Sequence, residues 1–452
     1  MNYSKPFNYS FMSFFRHNVN GGMLLILFAV LAMLIANSPW SVYYTTFLDH
    51  PVSLKLGNFN LLSHHGASLN VSAFINDCLM AAFFFLVGLE IKREVLVGEL
   101  SSVRKAALPI IAACGGMIMP VIIYSIIDHT YPGSRGAAIP MATDIAFSLG
   151  ALGLLGKRVP FGLKIFLTAF AVADDIGGIL VIALFYSTDI QIGYLIVAFI
   201  LIALLFVAGW LNIQKKGLYI IVGIIIWYLF LQSGVHSTIA GVLIAFTIPA
   251  HPRLKIQKYI GRIRESVQTF PVNEQDSIVL TNDQIRELKN IEASSNKVIS
   301  PLQYMEDRLS GLVDYFILPL FAFANAGIVF GTSEGSLFGL VTYAVALGLI
   351  IGKPIGLFSF TWLSVKSKLL SLPDEVDWKS MWGVCCLGGI GFTVSLFIAN
   401  LSFASVNQEM LNQAKLGIVL GTIISGIIGY LFLNRALPKE EEIQNSAENE
   451  SE

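Results

Sequence analysis

The chain has 452 residues, of which 55% are hydrophobic and 13% charged, and its mean hydropathy is +0.70. Soluble domains carry about 25% charge, and so apolar a surface would aggregate in water, which excludes a string of soluble domains and leaves a polytopic membrane protein. The net charge of −1 provides no bulk field for nucleic acid or an acidic partner.

Apolar runs long enough to cross a bilayer as helices predict twelve spans, at 12–36, 72–98, 106–128, 134–154, 161–186, 191–211, 217–231, 234–249, 311–330, 339–364, 381–403 and 414–434. The fold class expected is therefore an all-α polytopic membrane protein. No cleavable leader is expected, because the first run is long and no small-residue cleavage site ends it. The seventh and eighth runs are short, and the break at Gln232, Ser233 and Gly234 predicts a tight hairpin; the alternative is a single bent segment. Residues 1–250 then form a membrane unit of eight helices and 311–434 a unit of four. Between them, 251–310 reads as a polar cytoplasmic loop with a short helix around Asn282–Ile291. The tail 435–452, with Glu440, Glu441, Glu442, Glu448, Glu450 and Glu452, reads as disordered and acidic. Cys78, Cys114, Cys385 and Cys386 all lie in apolar runs, which suits free buried thiols better than disulfides or a metal site.

Lys and Arg in the connections set the orientation. One set of connections holds Lys5, Arg16, Lys92, Arg93, Arg104, Lys105, Lys157, Arg158, Lys164, Lys215, Lys216, the stretch from Arg253 to Arg264, Lys366, Lys368, Arg435 and Lys439. The opposite set has Lys55, Arg135 and Lys415. The asymmetry alternates through the crossings, so both termini are expected in the cytoplasm.

Ionisable groups deep in a span are costly and mark function. Asp144, Asp174, Asp175 and Lys353 are deep in their runs; Asp77 opens the second span, Glu90, Arg93 and Glu94 close it, and His236 lies in the eighth. Adjacent helical residues point about 100° apart, so Asp174 and Asp175 cannot serve one partner in the same way. Three aspartates against one deep lysine leave unpaired negative charge, which is expensive when buried. A site that loads protons or small cations resolves the excess; the alternative is structural pairing with basic residues. Gly136, Pro140, Thr143, Ser148 and Gly150 crowd one span, and Gly388, Gly389, Gly391, Thr393 and Ser395 another. Such paired interruptions point to broken helices around a transporter's binding site, although close helix packing also uses small residues. Asp77 either caps the second span or lines a pathway. His236 is either a group that titrates near neutral pH or a packing residue. Glu90, Arg93 and Glu94 form either a solvated helix end or a cation-concentrating entrance.

The motifs FFFLVGLEIKRE, ATDIAFSLG, AVADDIGG, SGVHSTIAGVLIA, ILPLFAFANAGI, IGKPIGLF and GIGFTVSLFIA run in this order through residues 12 to 434. In this the chain resembles the NhaA-type bacterial sodium/proton antiporters. The resemblance implies twelve helices with inverted repeats formed by the third to fifth and the tenth to twelfth. It also implies that the broken fourth and eleventh helices cross near the midplane. The function implied is that of an inner-membrane homodimer, a transporter without cofactor rather than an enzyme, which expels sodium or lithium in exchange for more than one proton. By motif, Asp175 resembles the central ligand for cation and proton, and Asp174 its partner, paired with Lys353. Asp144 and Thr143 resemble the groups that support the cation and balance the helix ends. Glu90, Arg93 and Glu94 resemble part of a cytoplasmic funnel linked to pH response, with Glu306 on its ninth-span side. There the chain departs from the family: Met305 to Gly311 contains Glu306, Asp307 and Ser310 but no histidine, and the preceding connection is longer. Two rivals fit less well. An intramembrane aspartyl protease needs two carboxylates sharing a proton and typically a GxGD signature, whereas the pair here reads ADDIGG. A passive channel favours rings of charge or carbonyls, whereas this constellation is single and asymmetric.

Overall fold

The structure is a computed structural model that describes residues 21–438 apart from 57, 58, 61, 65, 66, 188, 189, 212, 252–255, 272–278, 331–336 and 374. The expectations for the opening of the first span, for Lys5, Arg16, Arg253 and Lys255, and for the tail beyond Pro438 lie outside the described residues.

In lipid a backbone must satisfy its own polar groups, which favours helices wherever apolar runs are long. The chain follows this rule closely. Helices α1 (Gly21–Ala36) and α2 (Ser41–Asp49) meet at 113°. Then come α3 (Val71–Val97) and α4 (Val103–Ile127), a 3-10 segment Gly133–Met141 leading to α5 (Ile145–Gly153), and α6 (Phe161–Phe185). They are followed by α7 (Ile192–Trp210), α8 (Lys216–Ser233) and α9 (Ser237–Thr247). Helices α10 (Ile256–Gln268) and α11 (Asn282–Val298) fill the polar connection. The last part comprises α12 (Pro301–Leu312), a π turn and α13 (Leu318–Asn325), then α14 (Leu340–Lys366), α15 (Trp378–Leu387), α16 (Phe392–Phe403) and α17 (Gln408–Ala436). Among the described residues, 7 helices are long and apolar enough to cross a membrane, or up to 10 spans if each bent pair counts as one. The protein is thus a nearly all-helical, multi-pass membrane protein.

Local sequence accounts for the boundaries. Gly234 ends α8 with φ of 81°, a left-handed conformation suited to glycine, and His236 caps α9 through its side chain. Two helices form there rather than one bent segment. Near Pro51–Asn70 the chain makes short strands: β1 (Pro51–Val52), β2 (Lys55–Leu56), β3 (Phe59–Asn60), β4 (Ser63–His64) and β5 (Ala67–Asn70). They pair antiparallel as β1-β5-β4 and β2-β3, with Pro51 opposite Asn70 and Lys55 opposite Asn60. These strands qualify the all-α expectation; runs of two to four residues are too short to leave a period in the sequence. The helix expected around Asn282–Ile291 runs on to Val298, started by a capping box of Thr281 and Gln284. Helix α10 was not anticipated, because its apolar positions are interleaved with basic ones.

Burial singles out α6. Its most apolar window is 67% buried, against 17% for α7, so α7 lies at the periphery and α6 runs through the interior. Helices α4 and α14 pass back to back at Gly115 and Gly356: a β-carbon on Gly115 would lie 2.3 Å from the Gly356 carbonyl oxygen, and one on Gly356 2.1 Å from that of Gly115. This contact brings Lys353, at the end of the π turn Gly348–Gly352, next to α6. The four cysteines are free, Cys385 and Cys386 buried and the other two half-buried.

Candidate functional site

The site grows from two interruptions. Gly133–Met141 and α5 meet at 42°, and α15 and α16 meet at 43°. At the first break Ala142, Thr143 and Asp144 are extended; at the second, Gly388 to Gly391 carry the chain across. The breaks lie against each other. Asp144 N donates to Ile390 O at 2.7 Å, Thr143 Oγ1 to Gly388 O at 2.9 Å and Ser148 Oγ to Leu387 O at 3.0 Å. Ser395 Oγ donates to Ile139 O at 2.8 Å.

Each break exposes helix-end dipoles, which require compensating charge. Asp144 Oδ1 accepts from Phe147 N at 3.1 Å and so caps α5. Its Oδ2 accepts from Thr393 N at 3.0 Å and Thr393 Oγ1 at 2.7 Å, at the start of α16. One carboxylate therefore serves two helix N-termini. At the opposite pole, Lys353 Nζ donates to Met141 O, where the 3-10 segment ends. The carbonyls of Gly388 and Leu387, at the end of α15, receive the neutral hydroxyls of Thr143 and Ser148, and Leu387 O also accepts from Ile390 N.

Lys353 also pairs with Asp174, Nζ to Oδ2, at 2.6 Å; the side chains are 0% and 1% exposed. Asp174 Oδ1 is buried without a hydrogen bond among the described residues. Asp175 is buried as well, within electrostatic range of Asp174, Glu90, Asp144 and Lys353. No hydrogen bond or ion pair engages its carboxylate among the described residues. The adjacent aspartates thus diverge as helical geometry requires: one is locked to the lysine, the other is available. Thr143 lies in the same crossing, its hydroxyl donating to Gly388.

Toward the end of α3 the structure gathers Arg93, Glu94 and Glu306. Arg93 Nη1 contacts Glu306 Oε1, and Arg93 Nη2 is 3.1 Å from Glu94 Oε1. Glu94 Oε2 accepts from Glu99 N at 3.2 Å. Burial pushes the Glu306 carboxyl above the ordinary glutamate range, and Arg93 acts against that rise. Glu90 lies within electrostatic range of Glu306, Arg93 and Glu94 and also of Asp175. Lys92, expected as a loop cation, instead donates to Phe246 O at 2.6 Å and Ile248 O at 2.5 Å, closing the end of α9. Lys415, also expected in a loop, lies in α17 and is 7% exposed, 3.4 Å from Gly327 O. Lys415 is thus a second buried lysine beside Lys353 among the described residues.

Asp77 and His236 form a separate pair, Oδ1 to Nε2, at 3.6 Å. Asp77 sits in the π turn Phe74–Leu79, and its freed carbonyl accepts from Trp227 Nε1 and Ser237 Oγ, both at 3.1 Å. The His236 Nδ1 is 2.8 Å from Thr238 Oγ1 and its ring stands edge-on to Phe397. Three asparagines were missed by sequence reasoning, Asn325 buried and Asn76 and Asn400 half-buried: Asn76 and Asn400 both donate to Asn325 Oδ1, at 3.2 and 2.9 Å. Amides scattered over three distant helices leave no local motif to detect.

The family model described as Na+/H+ antiporter 1 matches residues 12–433. A Bacteroides fragilis protein named Na(+)/H(+) antiporter NhaA is 58% identical over 431 residues, 95% of this chain and 98% of the relative. One of the same name from Bacteroides thetaiotaomicron is 59% identical over 422 residues, 93% and 96%. Another, from Porphyromonas gingivalis, is 47% identical over 426 residues, 93% and 94%. With the match running through both breaks and every motif between them, the chain belongs to the Na+/H+ antiporter 1 family.

Proposed function

We propose that this chain exchanges sodium, or lithium, for protons across the bacterial inner membrane, with Asp175 as the carboxylate that carries either ion. The observation that carries this reading is the contrast inside the aspartate pair: Asp174 is tied to Lys353 while Asp175 is buried with no partner among the described residues. A carboxylate in a poorly solvated site favours neutralisation, by a proton or by a cation. Sodium is a hard cation suited to oxygen donors, by the reasoning that applies to calcium and magnesium. The carboxylates of Asp175 and Asp174, with Thr143 and backbone oxygens of the crossing, supply that chemistry. Proton and sodium then exclude each other at one site, and exposure of that site to alternate sides exchanges them. Asp144 and Lys353 have the further role of balancing the broken helix ends, so that the crossing does not itself trap a charge.

In the same reading, twelve helices with inverted repeats make up the membrane units 1–250 and 311–434. The connection 251–310, the tail 435–452 and both termini lie in the cytoplasm, and the assembly is a homodimer in the lipid bilayer. Glu90, Arg93, Glu94 and Glu306 line the cytoplasmic entrance and respond to pH, while Asp77 and His236 are pathway residues. Exchange of more than one proton per sodium moves net charge inward. The membrane potential then contributes about 2.3 kcal/mol per charge per 100 mV, enough to drive sodium uphill.

The test is a flux measurement. Everted vesicles containing the protein are expected to dissipate a preformed proton gradient on addition of sodium. Folded protein that gives no sodium-dependent change from acid to alkaline pH refutes the reading.

A further inference from the structure

Helix α10 carries an apolar stripe that the described residues leave uncovered. Ile256, Ile260, Ile263 and Val267 recur at spacings of three and four and so line one side of the helix. Helix α11 packs beside this stripe and buries Ser266, yet Ile256, Ile260 and Val267 remain 64%, 50% and 60% exposed. Around it the helix is basic, with Lys258, Arg262 and Arg264 exposed and Glu265 as its one anion. At about 100° per residue, Arg264 lies about 80° to one side of Ile256 and Arg262 about 120° to the other. Long basic side chains reach past an apolar body toward polar groups. Aliphatic residues on one side and cations around them are the make-up of a helix that lies in the plane of a membrane surface.

The tether favours the same occupant. Leu302 N donates to Pro249 O at 3.2 Å, so both ends of the connection meet where α9 stops, beneath the Lys92 contacts to Phe246 and Ile248. Ile256 follows Thr247 by nine positions, at most about 30 Å of extended chain. The stripe is therefore held within reach of the headgroup layer that surrounds the spans.

We propose that α10 is an in-plane anchor, its isoleucine and valine stripe seated at the acyl boundary and its cations on the anionic headgroups of the adjoining leaflet. Amide hydrogen exchange of residues 256–268 tests this on the full chain in lipid nanodiscs. One set contains phosphatidylcholine alone, the other phosphatidylcholine with phosphatidylglycerol as a minor component. Exchange is expected to slow in the anionic discs. Each of Lys258→Gln, Arg262→Gln and Arg264→Gln should reduce that protection about fivefold, and raised salt should mimic them. Ile260→Asp should abolish it in either lipid. Unchanged exchange of residues 282–298 certifies that the variants keep the α10–α11 hairpin. Equal exchange in the two lipids overturns the proposal. So does protection that follows the number of protein copies per disc rather than lipid charge, which makes a second copy of the chain the occupant.

Discussion

The Lys353–Asp174 pair and the Arg93–Glu94–Glu306 group use the same chemistry in opposite settings. The first is sealed between α6 and α14, with neither side chain more than 1% exposed. In the second, Arg93 is 39% exposed and its two partners are 14% and 12% exposed. Desolvation dominates the first, so either partner alone is a liability and the pair is indivisible. Water and salt screen the second, and its members can exchange partners at small cost. A charge excess beside the sealed pair, at Asp175, lies away from solvent, and under the proposed function a mobile ion meets it; the same excess at the half-exposed cluster is met by solvent.

The largest effect that probes this contrast is functional. Asp175→Asn is expected to eliminate sodium-driven proton movement in everted vesicles, since an amide neither carries a proton nor balances sodium. Asp174→Asn should leave a reduced rate, because its partner role is structural in part. Wild-type rates in Asp175→Asn would assign the ion to a different carboxylate.

Next is stability at the sealed pair. Lys353→Met strands a buried carboxylate and should cost about 3–5 kcal/mol, read as a lowered thermal midpoint of the purified protein. Adding Asp174→Asn to it should restore a large part of the loss. If the double variant is no better than the single one, the two residues do not act as a pair. Within the crossing, Thr393→Val removes one donor to Asp144 and should cost about 1–3 kcal/mol; a Thr393→Ser variant keeps the hydroxyl and should lose much less.

At the half-exposed cluster, Arg93→Gln should change stability by no more than about 1 kcal/mol, and that difference should shrink as salt is raised. A large, salt-insensitive loss would move Arg93 into the class of Lys353. The smallest effect expected is a null difference. If protons and sodium compete at Asp175, apparent sodium affinity weakens steadily as pH falls, with the same slope in the wild type and in Glu90→Gln/Glu94→Gln. A steep acid shutdown that saturating sodium cannot overcome, and that the double variant loses, would identify the cluster as a separate sensor.

Much of this arrangement was legible in the residues themselves. Glycine, proline and hydroxyl residues around Asp144 and in 388–395 announced two breaks, and both appear. The imbalance of three aspartates over Lys353 announced an excess of buried negative charge. What the sequence concealed depends on three-dimensional adjacency. Nothing local says that Asp144 reaches Thr393, 249 positions away, or that Lys92 closes α9 instead of facing water. Lys415 escaped notice because a lysine near a predicted helix end reads as solvated. Helix α10 escaped because its apolar period is diluted by basic residues, and the short strands because two residues have no period at all.

The contact between Gly115 and Gly356 limits how the interior can rearrange. Each glycine admits the other's carbonyl only because no side chain intervenes. The next residues on that face of α14 lie one turn away, about 5.4 Å: Gly352 on one side, packed on Pro120, and Phe360 on the other, already against Gly115. A slide that brought Phe360 onto Gly115 is therefore blocked by its ring. The glycine pair thus acts as a stop in that direction, and Lys353, less than one turn from it, is held close to the stop.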